Sequence, residues 1–296
     1  MKFEHLIEYI SVKIFVFFIL NLPLKLTYFF SEILSDIVFF IFRIRRKTVL
    51  ENLKIAFGKE KSYTEILKIA RNTYSNILKT FIETLYYDIK YKPEQLKDKF
   101  FLYYGKEYLE KSYKQNKGTI IVSGHFGNWE LLGTSIIALG YPTTFIVAEF
   151  KNKLVNKVIN NYRKQKGVKI IYRETTPLKN IIKMLKNNEF VCFASDQDAG
   201  SGGIFVDFFG RLSSTPQGAA AFCLKTGANI IVAMGIPSED RKFLKAVFIP
   251  VEIQKTSNKE KDIYLYTQKF TKIIEEYIRK YPQHYFWLHK RWKTVF

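Results

Sequence analysis

A chain of 296 residues with 47 Lys+Arg against 27 Asp+Glu carries a formal charge of +20, which selects for polyanionic partners and says little about fold. Its length suits one large domain or two small ones, and no Gly/Ser/Pro-rich linker, low-complexity tract or internal repeat divides it. The aromatic residues, 17% of the chain, cluster with aliphatic ones as in Phe15, Phe17, Phe18 and Phe39, Phe40, which favours lipid over nucleic-acid bases, while Cys192 and Cys223 fit no metal or redox spacing and read as reduced thiols.

Two short apolar stretches come first. Ile14 to Leu20 is bracketed by Lys13, Asn21, Pro23 and Lys25; Ile33 to Phe42 carries Asp36 and runs into Arg43-Ile44-Arg45-Arg46-Lys47. Neither reaches the ~20 apolar residues a membrane-spanning helix needs. Short apolar segments followed by a basic cluster predict interfacial or shallowly inserted helices with cations at the headgroups; an ordinary buried helical hairpin is the alternative. No small-residue cleavage site follows, so a cleaved signal peptide is not expected. Residues 1–47 are read as an N-terminal membrane-associating helical segment and 48–296 as the main domain.

Residues 62–90 show helical spacing through Ile66, Ile69, Ala70, Tyr74, Ile77, Leu78 and Phe81, and Glu83 falls on this helix. From residue 118 the pattern alternates. Strands are predicted at 119–122, 143–148, 168–172, 190–194 and 229–235, with helices at 129–139, 152–165, 177–187 and 215–226. A further strand, 244–251, precedes a long final helix from about Lys261 to Lys280. Such alternation predicts an αβα sandwich around a mostly parallel central sheet.

The string Ser123-Gly124-His125-Phe126-Gly127-Asn128-Trp129-Glu130 follows the run Thr119-Ile120-Ile121-Val122. It reads as strand, tight turn and helix, with His125 at the strand's C-terminal end, where open α/β sheets place ligands. Glu130, in the helix's first turn, is positioned to fold back on the imidazole, fix its tautomer and leave one nitrogen free as a base. Ser123 lacks the glycine pattern of a nucleophile elbow. Asp196-Gln197-Asp198 stands at another strand end, where an Asp-x-Asp loop suits either a metal-held nucleotide sugar or a plain turn. Thr215 is predicted to cap a helix with Pro216 at its first position, and Arg211 is the nearest candidate for touching an anion. The last eighteen residues hold five basic residues, six aromatics and no acid, a mixture suited to an interface or an anionic headgroup.

His125-Phe126-Gly127-Asn128-Trp129-Glu130 resembles the His-x4-Asp/Glu signature of glycerolipid-type acyltransferases, and more closely the lauroyl/myristoyl transferases of lipid A biosynthesis. Asn52 to Phe57, Asp196-Gln197-Asp198, Phe208-Phe209-Gly210, Thr215 to Gly218 and Tyr281 to Lys293 are similar to that family in the same order. The resemblance implies a glycerolipid acyltransferase-like fold in which His125 is the general base and Glu130 its orienter. Backbone N–H groups around Gly127 and Asn128 are then the expected oxyanion donors. It also implies substrate contacts from Asn128, Trp129, Asp196, Gln197, Asp198, Phe209, Gly210, Arg211 and Arg291. Two departures stand out. Where the family usually has Arg after its second strand, the chain reads Val147-Ala148-Glu149-Phe150, leaving Lys151 or Arg163 as the phosphate contact. Gln283-His284 replaces the usual Glu-Gln, so His284 carries no implied role.

The resemblance implies acyl transfer from an acyl carrier protein thioester, its chain on phosphopantetheine, or from acyl-CoA. The acceptor it implies is a phosphorylated glycolipid, the lipid A precursor, at the cytoplasmic face of the bacterial inner membrane, and no metal, cofactor or nucleic-acid partner is expected. The same chemistry on another glycolipid or glycerolipid, a metal-dependent glycosyltransferase using Asp196 and Asp198, and a non-enzymatic membrane-binding protein are the rival readings.

Overall fold

The β-branched run before His125 lies at the centre of a sheet, in a computed structural model that describes residues 3–296. Three helices lead into it: α1 (Phe3–Asn21), α2 (Leu24–Asp36), prolonged by a π-helical turn at Ile37–Phe42, and α3 (Arg46–Phe57). The long α4 (Tyr63–Lys90) starts at a capping box, Ser62 and Glu65 satisfying each other's backbone N–H, and a short α5 (Pro93–Leu96) follows. Strands and helices then alternate: β1 (Phe101–Tyr104), α6 (Lys106–Lys114), β2 (Thr119–Ser123), α7 (Trp129–Ala138), β3 (Thr143–Val147), α8 (Lys153–Gln165), β4 (Lys169–Tyr172), α9 (Leu178–Lys186) and β5 (Phe190–Ala194). A hairpin of β6 (Ile204–Phe208) and β7 (Arg211–Thr215) precedes α10 (Gly218–Thr226), β8 (Asn229–Pro237), β9 (Leu244–Val251) and α11 (Lys259–Lys280).

Seven strands form the main sheet in the order β1-β9-β8-β2-β5-β3-β4; every neighbouring pair is parallel except β8–β9. Side chains alternate across β2. Ile120 and Val122 join a core with Val191, Ile230, Val232 and the helices of one face, while Ile121 packs with Leu132 and Ile136 of α7 and Phe248 on the other. Both faces are covered, as a mostly parallel sheet requires, so the expected αβα sandwich is present.

The hairpin and β1 were not anticipated by hydrophobic periodicity. Residues 215–226 differ from expectation: Thr215 is the last residue of β7 and caps nothing, and α10 starts at Gly218 behind Gln217. Ser213, Ser214 and Thr215 are each 0% exposed, so the buried end of β7 is made of hydroxyl residues.

The N-terminal helices lie on α4. The buried face of α2 is polar and small, Thr27, Ser31 and Ser35, and its outward face is apolar, Leu26, Phe29, Phe30, Ile33 and Leu34. The three hydroxyls donate to carbonyls of their own segment, Pro23, Tyr28 and Glu32, so nothing polar is stranded in the α2–α4 contact. Ion pairs Arg71–Asp36 and Lys79–Glu32 hold the helices together. Among the described residues, no helix is long and apolar enough to cross a membrane.

Candidate active site

β2 and β5 are neighbours, with Ser123 in register with Ala194. This brings two turns together at the C-terminal edge of the sheet although His125 and Asp196 are 71 positions apart. Asp196 Oδ1 lies 2.8 Å from His125 Nδ1, and Oδ2 accepts the His125 backbone N–H at 2.8 Å. Gly124 makes room: a Cβ there would stand 3.2 Å from Asp196 Cβ and Cγ. Burial of Asp196 disfavours its charge, but His125, in contact through charge and hydrogen bonds, and nearby Arg291 hold its carboxyl below the ordinary value. An anionic carboxylate only accepts hydrogen bonds, so Nδ1 carries the proton and Nε2 keeps its lone pair. Burial likewise opposes the imidazolium, yet the Asp196 charge and hydrogen bond, with the Glu130 charge, leave the His125 pKa raised.

The expected His125–Glu130 hydrogen bond is therefore corrected: the partner of Nδ1 is Asp196. Glu130 instead makes a two-pronged pair with Arg163, Nη2–Oε1 at 2.5 Å and Nε–Oε2 at 3.0 Å, the planar fork geometry arginine favours with carboxylates. Glu130 reaches His125 through its charge, and Arg163, expected at a phosphate, is occupied by this pair and by Asn160. Beside them, burial pushes the Asp88 carboxyl up to about 7.

The oxyanion expectation also changes. Gly127 N–H donates to the His284 carbonyl at 2.8 Å and Asn128 N–H to the Gly235 carbonyl at 2.9 Å, so both donors are spent. Gly127 adopts a left-handed φ of +56°, and a Cβ there would sit 1.8 Å from the Gly235 carbonyl oxygen, so only glycine fits. Asn128 is fully buried and caps α7, its Oδ1 accepting from Leu131 N–H at 3.0 Å. The remaining first-turn amides of α7, those of Trp129 and Glu130, are the groups a helix start leaves unsatisfied. Ser123 Oγ donates to the Gly124 carbonyl and is not hydrogen-bonded to His125.

Aromatic rings wall the imidazole. Trp129 lies 5.4 Å and Phe286 6.0 Å from its centroid, and Phe81 of α4 meets Trp129 edge-on at 6.2 Å. Phe286 was not singled out from sequence; its N–H donates to the His125 carbonyl, and only the aromatic density of the tail signalled it. The same tail closes over Asp198. His289 Nε2 accepts the Asp198 N–H at 3.0 Å, and the Asp198 carboxylate takes up Thr294. With Asp196 committed to His125, the two carboxylates of Asp-Gln-Asp face different partners. Gln197 lies half-buried between them, and Lys151 is exposed in the loop after β3.

Three further expectations are corrected. Phe209 and Gly210 form the two-residue turn of the β6–β7 hairpin, both at positive φ, and Phe209 is buried against Phe57 and Trp287. Its N–H donates to the fully buried carboxylate of Glu275, itself paired with Lys272 and Arg279. Arg211 lies exposed beside that turn, whose packing is with α3 and α11 rather than with His125. Arg291, 1% exposed, donates to the Ser214 carbonyl and Thr215 Oγ1 and stacks on Phe208, so it braces β7 from inside.

The family described as bacterial lipid A biosynthesis acyltransferase matches residues 1–294. The chain belongs to that family. It is 28% identical over 253 residues to the lipid A biosynthesis palmitoleoyltransferase of Escherichia coli K12, covering 84% of this chain and 79% of the relative. Against the lipid A biosynthesis lauroyltransferase of the same organism it is 24% identical over 278 residues, 93% and 88% of the two chains. A phosphatidylinositol mannoside acyltransferase of Mycobacterium tuberculosis is 25% identical over 130 residues, 43% of this chain and 41% of the relative. The protein is thus an acyltransferase of the lipid A biosynthesis family.

Proposed function

We propose that this lipid A acyltransferase moves a fatty acyl chain from an acyl carrier protein thioester to a hydroxyl of a phosphorylated glucosamine lipid, at the cytoplasmic face of a bacterial inner membrane. The observation that carries the mechanism is the His125–Asp196 pair at adjoining strand ends. Nε2 of His125 takes the acceptor hydroxyl proton as the oxygen attacks the thioester carbonyl. Asp196 steadies the imidazolium, and the α7 amides of Trp129 and Glu130 receive the oxyanion. Collapse of the tetrahedral adduct expels the thiolate, and the proton returns from His125 to sulfur. No acyl-enzyme is needed.

The membrane setting rests on the α2 surface. A helix with hydroxyls inward and Phe29, Phe30 and Ile33 outward is built for an apolar exterior, small residues permitting close helix contact as they do in lipid. Beside it Phe40, Ile41, Phe42 and Ile44 stand exposed among Arg43, Arg45 and Lys47, which suits the boundary between acyl chains and anionic headgroups. The +20 charge serves an acidic carrier protein and lipid phosphates alike.

The test is transfer of a labelled acyl chain from acyl carrier protein, or from acyl-CoA as the alternative donor, to a lipid A precursor in mixed micelles. Product is expected with the native chain and lost with His125→Ala. A second reading, the same transfer to a phosphatidylinositol mannoside, is favoured by the mycobacterial relative, and an acceptor panel in the same assay separates the two. Activity that survives chelator and needs His125 separates both from a metal-dependent glycosyltransferase.

A further inference from the structure

Glu83 is 1% exposed, deep beneath the turn that carries His125, and the acyl-transfer steps above do not use it. Its carboxylate joins three elements that are distant in sequence. Oε1 accepts from Tyr28 of α2 at 3.0 Å and from Arg241, in the β8–β9 turn, at 2.6 Å. Oε2 accepts from Asn128 Nδ2 at 2.9 Å. Arg241 is held at a left-handed φ of +55°, an arrangement a non-glycine residue keeps only when its surroundings insist, and it also bonds Asn76, which donates to the Gln283 carbonyl.

Asn128 is the point where this network meets the reaction. Its Oδ1 caps Leu131 and its amide nitrogen is fixed by Glu83, so the side chain is clamped at both ends. One step back, the Gly127 carbonyl accepts from Thr80, one helical turn before Glu83 on α4. The direction of the α7 N-terminus, and with it the Trp129 and Glu130 amides relative to His125, is therefore set from α4. Burial and the Glu83 charge push the Tyr28 hydroxyl far above its ordinary pKa, so it stays a donor. Tyr28 sits on the helix whose other face is Phe29, Phe30 and Ile33.

We infer that Glu83 is a positioning residue: through Asn128 it aims the start of α7 at the reacting carbonyl, with Tyr28 linking that aim to the membrane-facing helix. The inference rests on the acyl-transfer reading given above. It assigns Glu83 no contact with substrate, and it accounts for a charge buried where a solvated helix position would have sufficed.

Two variants separate positioning from folding. Glu83→Gln with Arg241→Gln removes both charges together, so neither is left buried alone. Asn128→Ser keeps a good N-cap and removes the amide nitrogen that reaches Glu83 and, at 3.4 Å, the Thr80 carbonyl, both on α4. With acyl carrier protein donor and lipid A precursor in mixed micelles, each variant is expected to lose on the order of 10²-fold in kcat, with both KM values within about twofold of the parent's. Combining them is expected to cost no more than the worse one alone, since both cut one path. Hydrogen exchange at Leu131 and Leu132 is expected to speed up in the Glu83/Arg241 variant. An Asn128→Ser enzyme with normal melting and kcat within twofold of the parent overturns the inference. So does a combined loss equal to the product of the separate ones. Should the double-charge variant not fold, Tyr28→Phe, which keeps the ion pair, takes its place; an unchanged kcat and unchanged exchange at α7 refute the link to α2. Failure of the parent enzyme to transfer refutes the proposed donor and acceptor, and the exchange comparison still decides the positioning role.

Discussion

Two carboxylates act on His125, one by hydrogen bond and one by charge alone, and their removal should cost different amounts. Asp196→Asn places an amide against Nδ1, where its N–H favours the tautomer with the lone pair on the wrong nitrogen. A loss of about 10³–10⁴-fold in kcat with little change in KM is expected, by the logic of the serine-protease triad. Glu130→Gln should cost at least about tenfold less in kcat and should lower the melting temperature, because Arg163 is left without its charge partner in a site only 13% exposed. The reverse order of losses would return the orienting role to Glu130. The pH dependence follows from the direction of the shifts. The base must be neutral, so kcat/KM should rise with pH through a pKa above imidazole's ordinary ~6.5. Both variants should move that limb to lower pH, since each removes a charge that raises it. For stability, the raised imidazole pKa contributes below the ordinary histidine value and is lost as pH rises through the folded one. The depressed Asp196 pKa contributes above the ordinary aspartate value and is lost as pH falls through the folded one. The pair should therefore stabilise most between those two ordinary values. At this scale spacing along the chain is a poor guide to which side chains touch. Local spacing exposes His125 and Glu130 as neighbours, but the Asp196 contact arises from strand pairing across 71 positions, which no spacing rule reports.

The β6–β7 hairpin shows how a segment mistaken for site lining serves the frame. A two-residue turn with both φ values positive favours Asn or Gly at its first position; here Phe209 takes it at φ 58°. The ring is buried among Phe57, Phe208 and Trp287, with the Arg279 guanidinium 4.6 Å from its centroid, and this packing outweighs the backbone cost of the left-handed region. Phe209→Ala is expected to lower unfolding free energy by about 3 kcal/mol or more, read by urea unfolding, while kcat per folded molecule stays within a few-fold. A variant of parental stability without activity would put Phe209 back in the site. Why the neighbouring β7 escaped a reading from hydrophobicity is plain in its composition: Ser213-Ser214-Thr215 is interior yet polar, and Thr215-Pro216 has the look of a helix start. By contrast β5, β8 and β9 are runs of Val, Ile and Phe, and their periodicity announced them within a residue or two. The same reasoning explains α2, whose apolar residues were visible in the sequence but whose inward face was not, because amphipathic patterns normally bury the apolar side.

For the molecule as a whole, two kinds of attachment to a bilayer make opposite predictions about salt. A purely electrostatic association of a chain with net charge +20 should fall apart as the Debye length shrinks from ~10 Å at 0.1 M to ~3 Å at 1 M salt. Burial of apolar surface, at ~25 cal/mol per Å² removed from water, does not weaken with salt. Phe40, Ile41, Phe42 and Ile44, from 46% to 70% exposed, form a wedge whose insertion would bring Arg43, Arg45 and Lys47 to the phosphates. We therefore expect the full chain to float with vesicles containing anionic lipid, to bind neutral vesicles less, and to resist a 1 M salt wash once bound. Ile41→Asp with Phe42→Asp should abolish salt-resistant binding while leaving the Lys and Arg residues, and hence salt-sensitive adsorption, in place. Because α1 and α2 pack on α4 and no described helix has spanning character, protease added outside sealed vesicles should reach tags placed on either side of residues 7–42 equally. Complete release by salt, retention of tight binding by the double aspartate variant, or protection of one tag alone would each refute attachment through one face of the bilayer.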